Sequence, residues 1–421
     1  MNWQIWFSLA VIAVAVVAIV KRYETRLVLL LAGFLMCIVA GDPMKGFQAF
    51  IKGMTSITLV PAICAAMGFA AVVTASKCDE HLVAAVASPI KALGAWLIPI
   101  TTSLTFGINI AIMSAVGTAA TAGATFIPLL LRAKIRPAAA AAAVGGGTMC
   151  GLLLNPGCAH DIYVAKMADV SVMSFIGWAA PYILVLVLVA TVINAALSIF
   201  LHRDYGVENS ALVDSEDRSS FKINYLKAIA PLIPLFILLV STVCFPEAGI
   251  DVVAAMLIGM VLIGLITLIN PGELSKAFFK GMGQGYAQVI GLIVAAGVFS
   301  AGLQATGAIC AFIETLKPSN DLARWGAGMG PFAMALGTGS GEAAIWAFNQ
   351  AVTPQAASFG MDSQALGLLA ILAGQFGRTA SPLAGAIIIV AGMASADPMQ
   401  VAKRLFPGML VAALLATLWV V

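Results

Sequence analysis

The sequence predicts an all-α polytopic membrane protein of two inverted repeats. Each repeat has five spans, with one re-entrant hairpin and one broken helix. Three observations predict this: long apolar runs, a residue string that recurs half a chain later, and glycine–proline breaks at matching places.

Apolar residues make up 61% of the chain and charged ones 10%, against roughly 25% charged in a soluble domain. Mean hydropathy is +1.03. Trp3–Val20, Val172–Leu201, Ala228–Phe245, Val252–Ile269 and Leu405–Val421 each approach the roughly 18 apolar residues that cross a bilayer as a helix. Only helices and closed barrels satisfy their backbone in hydrocarbon, and the alternation of a barrel is absent. The first run is followed, not preceded, by basic residues, so it reads as a retained span and not a signal peptide.

The net charge of +3 is scattered and gives no footprint for nucleic acid. The 7 cysteines stand singly in apolar stretches and read as small buried hydrophobes, with no metal or disulfide role. No HExxH, GxSxG or Walker string occurs, so neither an enzyme nor an ATP-driven pump is expected.

The string Asp42-Pro43 … Ala49-Phe50-Ile51-Lys52-Gly53-Met54 returns as Asn270-Pro271 … Ala277-Phe278-Phe279-Lys280-Gly281-Met282. At nearly the same interval, Ser381-Pro382 answers Asn155-Pro156. This marks a duplication. Residues 1–201 form repeat one, 202–227 a polar cytoplasmic connecting loop, and 228–421 repeat two.

Basic residues set the topology. Lys21 to Arg26 face the cytoplasm, Leu27–Gly41 runs out and Ile57–Ala75 returns. A hairpin of about 94–131 keeps Arg132, Lys134 and Arg136 inside. A broken helix of about 137–170 runs out, and Val172–Leu201 returns. The second half follows from the opposite side: spans 228–245, 250–269 and 283–303, then an amphipathic stretch around Lys317 and Arg324. A hairpin of about 330–359, a broken helix of about 364–394 and a last span finish the chain. Most of the 22 Lys and Arg then lie on the cytoplasmic side. An odd number of spans per half makes the halves inverted.

Broken helices in inverted repeats are a transporter signature, with cargo held near the midplane. At the first break, Gly145-Gly146-Gly147-Thr148 to Asn155-Pro156-Gly157 must open the helix. Its free amides carry partial positive charge suited to a carboxylate; close helix packing is the other use of such glycines. At the second break, Gln375 to Pro382, Arg378 lies about 20 Å from either end of its apolar stretch. An intramembrane Arg marks a functional site by default, and its planar fork matches a carboxylate bidentately.

Thr379 and Ser381 flank it. The hairpin tips, Gly107-Ile108-Asn109 and Gly337-Thr338-Gly339-Ser340-Gly341-Glu342, offer amides and the side chains of Asn109, Thr338 and Ser340. With Asn155, Gly146 and Gly147 these complete the candidate cage for a small organic anion. Glu342, His160 and Asp161 are candidates to couple transport to a proton or cation. The alternatives are that Glu342 neutralises Arg378 and that His160 and Asp161 sit at the outer surface.

The run Gly145-Gly146-Gly147-Thr148 … Asn155-Pro156-Gly157 … His160-Asp161, together with Lys77-Cys78-Asp79-Glu80-His81-Leu82, resembles the anaerobic C4-dicarboxylate carriers of the Dcu C type. These belong to the wider ion-transporter superfamily. The resemblance implies secondary transport of succinate, fumarate and related dicarboxylates, by exchange or cation-coupled flux, in a bacterial inner membrane. It also implies an elevator-type motion of hairpins and broken helices against a scaffold, and a homodimer. Sodium-coupled relatives carry Ser-Asn-Thr at both tips, which is missing here, so H+ or Na+ coupling and pure exchange all stay open. No cofactor is expected. A cation/proton antiporter, or a carrier of another organic anion on the same fold, is the alternative. A lone Arg at the break, where antiporters cluster acids, favours an anion.

Overall fold

Local chemistry sets the helix starts. Ser114, Ser171, Asp251, Ser340 and Asp397 each cap a helix by accepting from an amide two or three residues on. Proline stands in the first turn of five of the described α-helices, where its missing N–H costs nothing. The computed structural model describes residues 3–21, 23–57, 59–87, 96–206, 222–245, 250–308, 311 and 320–421. The start of the first hairpin, most of the connecting loop and Lys317 lie outside these.

The first half runs α1 (Trp3–Val20), α2 (Thr25–Val39), α3 (Pro43–Met54), α4 (Leu59–Ala75), α5 (Cys78–Ala87), α6 (Leu97–Ala111), α7 (Ala115–Arg132), α8 (Pro137–Gly147), α9 (Ala159–Met167) and α10 (Val172–Phe200). The second runs α11 (Tyr225–Ile229), α12 (Ile233–Cys244), α13 (Val252–Thr267), α14 (Pro271–Gly285), α15 (Gly291–Ala305), α16 (Asn320–Thr338), α17 (Gly341–Ala351), α18 (Ser363–Thr379), α19 (Gly385–Met393) and α20 (Pro398–Trp419). The recurring string, which the sequence offered only as a marker, is itself helical in both halves, as α3 and α14. A π turn over Tyr286–Ile290 joins α14 to α15, and Arg26 donates to its Ala287 carbonyl at 2.6 Å.

Among the described residues, five helical stretches are long and apolar enough to cross a membrane: Ala115–Arg132, Pro137–Met167, Val172–Phe200, Pro271–Ala305 and Pro398–Trp419. A sixth is the α3–α4 pair, bent by 48°. Shorter apolar helices of 10–17 residues accompany them. The ten full spans expected from sequence therefore divide into long helices and short ones. The protein is a multi-pass, all-helical membrane protein.

Glycine contacts fix the relative directions. Gly33 of α2 faces Val298 and Gly302 of α15 while Arg26 lies beside Gly291, so α2 and α15 run parallel. Gly285 and Gly281 of α14 meet Ile63, Met67 and Ala71, so α14 opposes α4. α10 opposes α20: Asn194 lies at Gly408, and Tyr182 packs on Trp419 at 4.8 Å. α9 lies beside the start of α18 through Val164 and Gly367, and α8 beside α19 through Gly145 and Ile387. A buried cluster around Phe69, Met256, Ile263 and Phe278 joins α4, α13 and α14, apart from the main core of hairpins and broken helices.

A Cβ on Gly33 would sit 2.6 Å from the Val298 carbonyl, and backbone cannot step aside. Gly33→Ala is expected to destabilise by about 1–3 kcal/mol, as overpacking does. Thermal unfolding in detergent checks this; a wild-type melting temperature would mean that α2 and α15 are less close.

Past α10 the chain is pinned at Asp204, which is fully buried. Its carboxylate accepts from Arg404 Nε at 3.0 Å and Nη2 at 2.7 Å, and Arg136 Nε lies 3.8 Å away. Its carbonyl accepts from the Arg136 amide at 2.8 Å. One acid thus gathers the ends of α8, α10 and α20.

Candidate functional site

α8 is almost entirely alanine and glycine and is buried along its length. It stops at Gly147, where Thr148 turns back on the Gly145 and Gly146 carbonyls. A short 3-10 turn, Gly151–Leu154, and Asn155-Pro156-Gly157 then lead to α9. Three glycines weaken the helix and Pro156 cannot donate, so the chain opens here.

The first hairpin tip is lashed to this break. Asn109 Oδ1 accepts from the Leu152 amide at 3.2 Å, and its Nδ2 donates to the Ile112 carbonyl and to Thr118 Oγ1. Asn155 Nδ2 donates to the Ile110 carbonyl at 2.7 Å, and its Oδ1 accepts from the Gly157 amide. Both asparagines, read as cargo ligands, thus spend these bonds on the protein itself. Gly146 faces Leu405, and Gly147 faces Thr105 and the Thr102 carbonyl, so both glycines serve close helix approach.

The second hairpin repeats the arrangement. Gly339, with φ +74°, presses on the Leu383 carbonyl of the α18–α19 break; a Cβ there would lie 2.6 Å from it. Thr338 Oγ1 donates to the Met334 carbonyl and accepts from the Ser340 amide, and Ser340 caps α17. Thr379 Oγ1 donates to the Gln375 carbonyl at 2.8 Å, and Ser381 Oγ accepts from the Leu383 amide at 3.2 Å.

The two breaks meet at Arg378, which is 8% exposed. Its Nη2 crosses to the Thr148 carbonyl at 2.8 Å. Its Nε and Nη2 both donate to Gln375 Oε1, at 3.1 and 2.8 Å. The fork that the sequence reserved for a carboxylate is therefore closed on Gln375. Nη1 has no partner among the described residues and is not sealed from solvent.

A second cluster lies between α9 and α17. His160 Nε2 is 3.0 Å from Glu342 Oε2, off the line of a good hydrogen bond, and the same oxygen accepts from Trp346 Nε1 at 3.2 Å. The His160 and Tyr163 rings pack on Trp346 at 4.9 and 5.2 Å. The Glu342 side chain is half-exposed, at 46%. Asp161 is fully buried, and neither carboxylate oxygen has a hydrogen-bond partner. His160 and Asp161 are thus interior, not at a surface, and Glu342 pairs with His160 in preference to Arg378.

Sequence reasoning missed Gln375 and Trp346. The Lys77 to Leu82 string lies apart from the site: burial pushes the Asp79 carboxyl up to about 6, and His81 Nδ1 accepts from the Asn224 amide at 3.2 Å.

This arrangement suits a small anion: a guanidinium at the junction of two broken helices, with one nitrogen open. A sequence model of a family described as C4-dicarboxylate anaerobic carrier matches residues 46–421. A Haemophilus influenzae protein named only as an uncharacterized transporter is 40% identical over 278 residues, which is 63% of this chain and 99% of that one. The anaerobic C4-dicarboxylate transporter DcuC of Escherichia coli K12 is 25% identical over 80% of this chain and 75% of its own. Among solved structures, the YdaH transporter of Alcanivorax borkumensis superposes with a TM-score of 0.62 at 17% identity, over 89% of this chain and 87% of that one. That likeness speaks for the fold alone.

Proposed function

This chain belongs to the C4-dicarboxylate anaerobic carrier family, and from that premise we propose that it carries succinate, fumarate and related dicarboxylates as a secondary active transporter. It is a transporter and not an enzyme. The observation that carries the reading is Arg378, a buried cation that both halves surround, with Nη1 left open. One cargo carboxylate would take Nη1, and the rest of the cargo would lie toward Thr338, Ser340 and Ser381. Asn109, Asn155, Gly146, Gly147 and Thr379 would shape the wall behind it.

Inverted repeats are part of this reading. Parallel α2 and α15, with α4 opposed to α14 and α10 to α20, support them. Elevator movement of hairpins and broken helices against α2–α4 and α13–α15 would carry the cargo across. A homodimer in a bacterial inner membrane completes the proposal.

Liposomes loaded with unlabelled succinate test it. Uptake of labelled succinate should require internal substrate, saturate, and respond to a sodium or proton gradient if the flux is coupled. Sodium efflux that needs no dicarboxylate would instead establish an antiporter.

Gln375 offers a sharper probe. A glutamate there would hold the same fork with a full negative charge and compete with the cargo. Hydrogen bonds to charged groups are worth about 1.5–3 kcal/mol, so Gln375→Glu should slow succinate counterflow about 10- to 100-fold while the protein stays folded. Unchanged counterflow would mean that the cargo does not depend on this guanidinium.

A further inference from the structure

Asp161 has no account in the cargo site. It lies in the first turn of α9, fully buried, and neither carboxylate oxygen has a hydrogen-bond partner among the described residues. Burying an unpaired charge is among the costliest arrangements in a protein, and the partial charge of one helix end is only about half a unit. The residue is tenable only with its own charge removed.

The charged and titratable groups around it are few. α9 itself brings His160, Tyr163 and Lys166, the last exposed and donating to Ser56 Oγ at 3.3 Å, and the break brings Cys150 and Cys158. Of the helices packed on α9, α17 brings Glu342 and α18 brings Arg378, while α4 and α10 carry no Asp, Glu, His, Lys or Arg. The Cys158 thiol is the polar side chain that bears on it, a weak donor. Among the described residues no cation bonds to the Asp161 oxygens.

Loading makes the imbalance worse. Arg378 supplies one positive charge, which an ionised Glu342 cancels. A dicarboxylate then adds two negative charges to an interior where like charges repel strongly. An ionised Asp161 would bring a third.

We propose that Asp161 is the carboxyl on which this protein carries a proton together with its cargo. Asp161 holds this proton whenever the site is closed to water, and exchanges it with water only when the site opens to one side to take up or release the dianion. The proton bond is its only chemistry. Flux of cargo is thereby tied to flux of protons, and not of sodium. The inference rests on the dicarboxylate reading only for the identity of the cargo.

The test has two arms. In the first, infrared spectra of the purified full-length protein at neutral pH are compared with those of Asp161→Asn. A C=O stretch of a protonated carboxylic acid is expected in the parent and absent from the variant. This arm needs no cargo. A parent without that band, or a variant that keeps it, overturns the proposal.

In the second arm, the same proteins are placed in liposomes enclosing a pH-sensitive dye, and net flux of labelled succinate is followed with proton movement. The parent should move protons with succinate. Asp161→Asn should move at least about tenfold fewer protons per succinate, and Asp161→Glu, which restores a carboxyl, should recover most of the coupling. Proton movement by Asp161→Asn at the parent's ratio overturns the proposal, as does parent flux that follows a sodium gradient without protons. A parent that shows the infrared band but exchanges no dicarboxylate removes the cargo assignment and leaves the proton on Asp161.

Discussion

Alanine in place of Arg378 is expected to reduce counterflow of labelled succinate by at least about 100-fold. The open Nη1 offers two N–H donors, and each charge-assisted bond contributes about 1.5–3 kcal/mol. Two together amount to about two factors of ten or more, at about 1.4 kcal/mol per factor. Without the guanidinium, the cargo also meets Glu342 with no cation beside it. The groups released, Gln375 Oε1 and the Thr148 carbonyl, belong to buried residues, so some loss of stability is expected beside the loss of transport. Arg378→Lys keeps the charge but loses the planar fork and should fall between parent and alanine. Counterflow rates measured beside melting temperatures separate a lost cargo contact from a lost fold. An alanine variant that exchanges succinate like its parent would end the assignment of Arg378.

The largest effect on stability is expected at the other buried arginine. Asp204→Ala would leave Arg404, which is 5% exposed, without its carboxylate, and breaking a buried pair from one side costs about 3–5 kcal/mol. It would also loosen the Arg136 end of α8. Replacing both partners with apolar residues, Asp204→Leu with Arg404→Met, should recover most of the loss, because no charge then stays buried. Thermal unfolding in detergent reads this directly. A double variant as unstable as the single one would show that the site depends on its hydrogen-bond geometry and not on charge balance.

Much of this architecture was legible because its signals are local. Gly145 to Gly147 with Pro156, and Gly377 with Pro382, act on their own stretch of backbone, and both helices do open there. A single Arg in a long apolar stretch announces itself in the same way. The pairings were not legible. His160 meets Glu342, and Asp204 meets Arg404, across much of the chain; only packing decides which acid meets which base. Gln375 escaped for a different reason. It stands three residues before Arg378 on the same helix, yet nothing in a neutral amide signals that it will close on a guanidinium. The helical state of the recurring string was overlooked too, although Pro43 and Pro271 both open a first turn.

The composition of α8 bears on how this protein can change over generations. From Ala138 to Gly147 only Val144 has a side chain larger than a methyl group, and all ten residues are buried. Its neighbours are fitted to main chain. Substitutions there have almost nowhere to go: a larger residue intrudes, and a polar one is stranded. α10 is the opposite case, since Leu184, Val185, Leu188 and Val192 point outward and apolar residues of many shapes serve equally against lipid. One helix is held to a narrow alphabet by geometry, while the other is free to drift within a hydropathy class.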